Sequence, residues 1–210
     1  MQILNEIAAM LMKGRAKEVK ELVQTALDSG VTPKDILEKG LIAGMSVIGE
    51  KFKANEVFVP EVLIAARAMN AGLEVLKPHL ISSGVKPSGK ALICTVRGDL
   101  HDIGKNLVKM MIEGQGIEVI DLGVDAKEDK VIDAVKLHKP DILCLSALLT
   151  TTMPSQKEII DALIKAGLRD KVKVMIGGAP VTAEYAKSIG ADAYSPDAAS
   201  AAVMAKSLLS

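Results

Sequence analysis

Two hydrophobic periods divide the chain. From Met1 to about Leu80 apolar residues recur at helical spacing: Ala16, Val19, Leu22, Val23, Ala26 and Leu27 form one stripe. Leu37, Leu41, Met45 and Ile48 form a second, and Val62, Ala66, Met69, Leu73 and Leu76 a third. Thr32-Pro33-Lys34-Asp35 reads as a helix start, with a hydroxyl cap, Pro in the first turn and an acid at the positive end of the dipole. Gly30 suits the end of the preceding helix, and Pro60 opens the next. Four helices with short connections predict a helical bundle over residues 1–80. Beyond it Ser82-Ser83-Gly84 and Pro87-Ser88-Gly89 mark a linker at 81–89. Over 90–210 the period changes. Short apolar runs at 91–96, 117–122, 142–148 and 172–177, and a weak one at 192–195, alternate with amphipathic helices. That pattern predicts an α/β domain with a doubly wound, five-stranded parallel sheet covered on both faces. Such sheets bind ligands at the carboxyl ends of their strands, which singles out the loops at 97–104, 123–126, 147–153, 177–181 and 194–198.

Composition narrows the class. Basic and acidic residues balance at 26 each, which argues against a nucleic-acid or membrane-surface binder working through bulk charge. The first twenty residues lack the features of a secretory signal, and no run reaches the ~18–20 apolar residues of a membrane span. Cys94 and Cys144 fall inside expected buried strands, as reduced core thiols do. Cytoplasmic residence is the expectation. Aromatics are scarce, and both phenylalanines, Phe52 and Phe58, fall in one stretch. Two ordinary core residues would explain them, as would a surface that shields something flat.

The first of these loops carries Gly98 and Gly104 but neither the spacing of a dinucleotide fingerprint nor that of a phosphate-cradling P-loop, where Asn106 would stand in place of the hydroxyl. It does carry Asp99 two residues before His101, and in an extended segment such residues point the same way. A carboxylate can then hold one imidazole nitrogen while the other faces a metal. A satisfied loop histidine fits that spacing equally well. With only three histidines and no zinc-type spacing, a metal here would need most of its ligands from a cofactor. The third strand ends in Ser146-Ala147-Leu148-Leu149-Thr150-Thr151-Thr152 and the fourth in Gly177-Gly178, so hydroxyls and bare backbone share one edge of the sheet with His101.

Taken together, Gly98-Asp99-Leu100-His101-Asp102-Ile103-Gly104, Ser146 with Leu148, and Gly177-Gly178 resemble the D-x-H-x-x-G, S-x-L and G-G elements of cobalamin-binding domains. The match is to that domain of methionine synthase and, in size and layout, to the small corrinoid proteins of methyltransferase systems. The segment GMSVIGEKFKANEVFVPEVLIAARAM (44–69) resembles the helical cap that precedes the domain there, so the resemblance spans nearly the whole chain. It implies a flavodoxin- or Rossmann-like domain in which His101 is the lower axial ligand to cobalt, Asp99 holds His101, and Thr152 continues the relay where methionine synthase has Ser. The cofactor's tail would lie between Ser146, Thr150 and Gly177-Gly178, closed by the segment from Tyr194 to Ala198. Glu38, Met45 and Phe52, seven apart on one helix, would share a face, and Phe52 with Val59 would cover the methyl-bearing side.

The activity so implied is that of a methyl carrier. A substrate-specific methyltransferase would place a methyl group on cob(I)alamin, or a related corrinoid. A second methyltransferase, serving tetrahydrofolate or a similar acceptor, would take it from methylcobalamin. A reductive activase would restore the cobalt. The chain would work as one subunit of a multi-component system, with methanol, methylamines, aryl methyl ethers (O-demethylation), thiols and betaines all open as donors. A cobalamin-binding mutase subunit and a cobalamin-dependent sensor are the alternatives within the same resemblance.

Overall fold

The computed structural model describes residues 2–210. Residues through Pro87 form one compact unit, and residues 88–113 and 117–210 form another. Among the described residues no helix is long and apolar enough to cross a membrane.

The first unit is helical. Helices α1 (Gln2–Met12) and α2 (Ala16–Asp28) are followed by α3, continuous over 33–53, and by α4 (Val59–Ser82). The stripes become its core: Val19, Val23, Ala26, Leu41, Met45, Ile48, Val62, Met69 and Leu76 are all buried. Thr32 caps α3 by accepting from the Asp35 N–H at 3.1 Å. Glu61 reaches back to the Phe58 N–H at 3.0 Å at the start of α4.

Two expectations change here. Helix α4 continues to Ser82 with Pro78 inside it, so the helical part overruns the expected boundary at residue 80. The helix closes one turn past the proline, where the Ser83 N–H and hydroxyl both donate to the His79 carbonyl, at 3.0 and 2.6 Å. Helix α3 is also not uniform, because Ile36–Ile42 is a π-helical stretch. Hydrogen bonds that span one residue more than in an α-helix offset the rest of the helix by up to about 100°, the rotation of one residue. Spacing of seven therefore does not put Glu38 on the face of Met45. Glu38 is exposed and 3.8 Å from Lys34, whereas Met45 is fully buried and Phe52 half-buried.

The second unit is the expected α/β domain. Strands β1 (Lys90–Thr95), β2 (Glu118–Asp121), β3 (Ile142–Ser146), β4 (Lys173–Gly177) and β5 (Ala193–Tyr194) lie within two residues of the predicted runs at every boundary. They form one parallel sheet in the order β2-β1-β3-β4-β5. Helices α5 (Ile103–Glu113), α6 (Glu128–His138), α7 (Pro154–Lys165), α8 (Ala183–Ser188) and α9 (Ala198–Leu208) connect and cover it. Alternation along the strands sorts the side chains into two layers. Leu92, Cys94, Leu143, Leu145, Val174 and Ile176 pack with residues of α6, α7 and α8 into one continuous core. Ile93, Cys144 and Met175, level with each other across β1, β3 and β4, point to the opposite face. On that face α5 and α9 pack together. Toward the carboxyl edge the same face narrows to Thr95, Ser146 and Gly177, again level across the three strands.

Candidate cobalt-ligand loop and tail cavity

The strand order reverses at β1, so the connections that follow β1 and β3 lead to helices on opposite faces of the sheet and leave a crevice at its carboxyl edge. The loops after these two strands meet there at Asp99. Asp99 is fully buried and its carboxylate is saturated. Oδ1 accepts from the His101 N–H at 3.0 Å and from His101 Nδ1 at 2.7 Å. Oδ2 accepts from the Leu148 N–H and from the Thr152 hydroxyl, each at 2.7 Å. Burial alone would raise the Asp99 carboxyl, but the hydrogen bonds from Thr152, His101 and Leu148 outweigh it and hold the group well below the usual carboxylate range. A carboxylate can only accept, so Nδ1 carries a proton, and in the neutral imidazole the lone pair is then on Nε2. The His101 side chain is half exposed, and its carbonyl accepts from the Thr95 hydroxyl at 2.9 Å. Leu100, Ile103, Leu148 and Leu149, from the same two loops, are exposed large apolar side chains. An outward imidazole nitrogen among exposed leucine and isoleucine side chains suits a broad, largely apolar metal complex.

Beside this loop the narrowed face of the sheet lines a half-open cavity of about 250 Å³. Its wall includes Ile93, Cys144 and Met175 on the strands, Lys105 and Val108 on α5, and Ala201 on α9. Five of the expected cofactor-binding positions line it as well: Gly104, Ser146, Gly177, Gly178 and Ala198. Gly178 has no substitute, since its φ is +132° and a Cβ there would lie 1.8 Å from the Ala147 carbonyl oxygen. The missing side chain is what lets the β4 loop close against β3. Gln156, fully buried on α7, joins the two strands at this point, donating to the Leu145 carbonyl at 2.9 Å and the Gly177 carbonyl at 3.2 Å. The Cys144 thiol on the cavity wall is pushed up to about 12 by burial, which makes it a packing group rather than a nucleophile.

The remaining expected residues separate. Gly98, Asp102 and Ile103 sit in the histidine loop, where Asp102 accepts from the Asn106 amide at 3.1 Å. Thr150 is exposed and outside the cavity lining. Ala198 lines the cavity, but Tyr194 packs into the core of the opposite face and Ser195 takes its place. The correction comes from strand alternation: with Tyr194 on the filled face, its successor points to the cavity. Sequence reasoning also missed Lys105, whose ammonium is buried and donates at 2.7 Å to both Asp121 and Asn106. A lysine in the first turns of an amphipathic helix reads as a solvent-facing residue, so only the acid at the end of β2 hinted at a partner. Among the described residues no cluster of three or more His, Cys, Asp or Glu has metal-binding geometry. One imidazole, an apolar surround and an adjoining cavity fit a metal that arrives inside its own macrocycle and leaves a single axial position to the protein.

Comparison with known proteins agrees. A family described as "B12 binding domain" matches residues 89–203, and a second one of the same description matches residues 3–77. The chain is 44% identical over 193 residues to monomethylamine corrinoid protein 2 of Methanosarcina acetivorans, covering 90% of this chain and 89% of that one. It is 44% identical over 192 residues to the trimethylamine corrinoid protein of Methanosarcina barkeri, covering 90% and 88%. Among solved structures, a chain of the methanol:cobalamin methyltransferase complex MtaBC from Methanosarcina barkeri superposes with a TM-score of 0.88 at 32% identity, covering 99% of this chain and 80% of that one. A cobalamin-binding protein from Desulfitobacterium hafniense gives 0.82 at 33% identity, with 98% of each chain covered. With its histidine loop and the adjoining cavity each inside the matched region, the chain belongs to the B12-binding domain family, as a corrinoid protein of methyltransferase systems.

Proposed function

We propose that this chain is a corrinoid methyl carrier in which His101 is the lower axial ligand. The observation that carries the reading is the imidazole fixed through Nδ1 by a buried, fully hydrogen-bonded Asp99, with Nε2 left free at the sheet's carboxyl edge. When bound, the corrinoid supplies a cobalt able to take up a methyl group from one partner protein and give it to another.

The chain's own residues then have three tasks. Asp99 and Thr152 set how strongly the imidazole donates, because a carboxylate hydrogen-bonded to Nδ1–H raises the basicity of Nε2. A proton taken up by the His101–Asp99 pair would weaken that donation and favour release of His101, which is how this relay would track changes in the cobalt's preference for an axial ligand. Ser146, Ala198, Gly177 and Gly178, with Ser195, receive the nucleotide tail in the cavity on the α5–α9 face. Phe52 and Val59 of the helical unit would keep water and oxidants from the methyl-bearing face, and Met45, on the same helix as Phe52, packs in the core.

The role sets the partners. A substrate-specific methyltransferase supplies the methyl group, and a methylated amine is the first donor to try, given relatives named for monomethylamine and trimethylamine. A second methyltransferase, using tetrahydrofolate or another one-carbon acceptor, removes it, and a reductive activase returns oxidised cobalt to use. The test loads the chain with cobalamin, reduces it, and supplies isotope-labelled monomethylamine, trimethylamine or methanol together with the methyltransferase specific for each. Label should appear on the protein-bound corrinoid with one of these pairs and disappear on addition of a methyl-accepting methyltransferase. Corrinoid that is bound but takes no label from any pair would overturn the carrier role in favour of a sensor.

A further inference from the structure

We infer that Asp125, in the loop between β2 and α6, is a positioning residue that clamps the backbone of the histidine loop and so aims His101. The inference rests on the reading of His101 as lower ligand. Asp125 holds two peptide groups at once. Its Oδ1 accepts from the Gly98 N–H at 2.7 Å, and its own N–H donates to the Asp99 carbonyl at 3.0 Å. One residue therefore brackets the Gly98-Asp99 segment immediately before the histidine.

The clamp uses two uncommon backbone conformations. Gly98 has φ +79° and Asp125 itself has φ +50°, a region where non-glycine residues other than Asn and Asp are rare. The platform under Asp125 is fixed. The Thr95 N–H donates to the Gly123 carbonyl and the Ala126 N–H to the Thr95 carbonyl, each at 3.0 Å, so the loop continues the sheet past the end of β2. Arg97 secures the other side of the histidine loop, 3.0 Å from Glu128 and 2.8 Å from Glu158. The His101 ring is held through Asp99, and Asp99 stays in register only while its backbone does. Removing the Asp125 side chain would leave the Gly98 N–H without its acceptor beside a glycine free to rotate, and the imidazole would lose its fixed direction.

Three substitutions separate the hydrogen bond from the backbone conformation. Asp125→Asn keeps an acceptor and tolerates positive φ, Asp125→Gly keeps only the conformation, and Asp125→Ala keeps neither. In corrinoid-free protein, hydrogen exchange over residues 97–104 should speed up several-fold in the Gly and Ala variants and stay at the wild-type rate in Asn, with thermal unfolding recorded to confirm that each is folded. After loading with cobalamin and reduction to cobalt(II), electron paramagnetic resonance reports nitrogen ligation directly. The ratio of histidine-ligated to unligated cobalt should fall about tenfold in Gly and Ala, the lower end of the ~10–100-fold that loss of an outer-shell partner costs, with Asn close to wild type. Wild-type exchange and ligation in Asp125→Gly would overturn the clamp, as would an Asn variant as impaired as Ala. Wild-type protein that takes up no corrinoid would instead overturn the reading of His101, and the ligation role with it.

Discussion

The two faces of the sheet are built from the same strands and do opposite work. On the α6–α8 face, buried apolar side chains fill every level from Leu92, Leu143 and Val174 to Cys94, Leu145 and Ile176. On the α5–α9 face the levels shrink from Ile93, Cys144 and Met175 to Thr95, Ser146 and Gly177, and a cavity remains. Native interiors are close-packed, so a cavity on one face of an otherwise filled sheet marks a place shaped for a ligand. The filled face supplies rigidity, and through Thr152 and Gln156, at the start of α7, it holds in place the loops of the other.

The largest effect that would break this contrast is expected on the filled face. Leu145→Ala should cost about 2–5 kcal/mol in urea unfolding, because its neighbours cannot collapse onto the space. A smaller value would mean that both faces are loosely packed. Next comes the ion pair at the edge of the cavity. Burial would raise the Asp121 carboxyl, but the Lys105 ammonium, the Gly123 N–H and Lys109 outweigh it and lower it. A carboxyl lowered by folding adds stability above its unfolded value, about pH 4, and loses that contribution as pH falls through the folded value. Breaking a fully buried pair costs roughly 3–5 kcal/mol, and water reaching the partly exposed Asp121 reduces that. Lys105→Met should therefore destabilise by about 2 kcal/mol at neutral pH, and the difference from wild type should shrink on acidification through the carboxylate range. A pH-independent difference would assign Lys105 to packing alone.

The smallest stability change is expected where the function is most exposed. Ala201→Leu, which grows into the cavity from α9, should change unfolding free energy by less than about 2 kcal/mol in either direction. It should nonetheless abolish tight binding of complete cobalamin while sparing a corrinoid truncated before its nucleotide tail. Equal loss of both would move the tail elsewhere.

Much of this is readable in the chain itself. Continuous apolar runs place the strands to within two residues, because a doubly covered parallel sheet leaves no other pattern. The Asp99–His101 pair is legible because residues two apart in an extended segment share a side. The features that escape have particular causes. The Leu148 N–H on Asp99 is a backbone group that no side-chain pattern announces. The π-helical stretch in α3 takes Glu38 out of the heptad arithmetic that links it to Met45 and Phe52. Strand β5 is only two residues long, too short for alternation to separate Tyr194 from Ser195. Lys105 and Asp125 act through partners distant in sequence, Asp121 and Gly98, and long-range pairing is written in the fold.

Everything proposed for this edge of the sheet turns on a corrinoid held there with His101 on its cobalt. The direct measurement is electron paramagnetic resonance of the chain loaded with cobalamin and reduced to cobalt(II), compared with His101→Ala. Nitrogen superhyperfine splitting is expected in wild type and should be lost in the variant while corrinoid remains bound. Wild-type protein that binds no corrinoid, or a splitting that survives in His101→Ala, would contradict it.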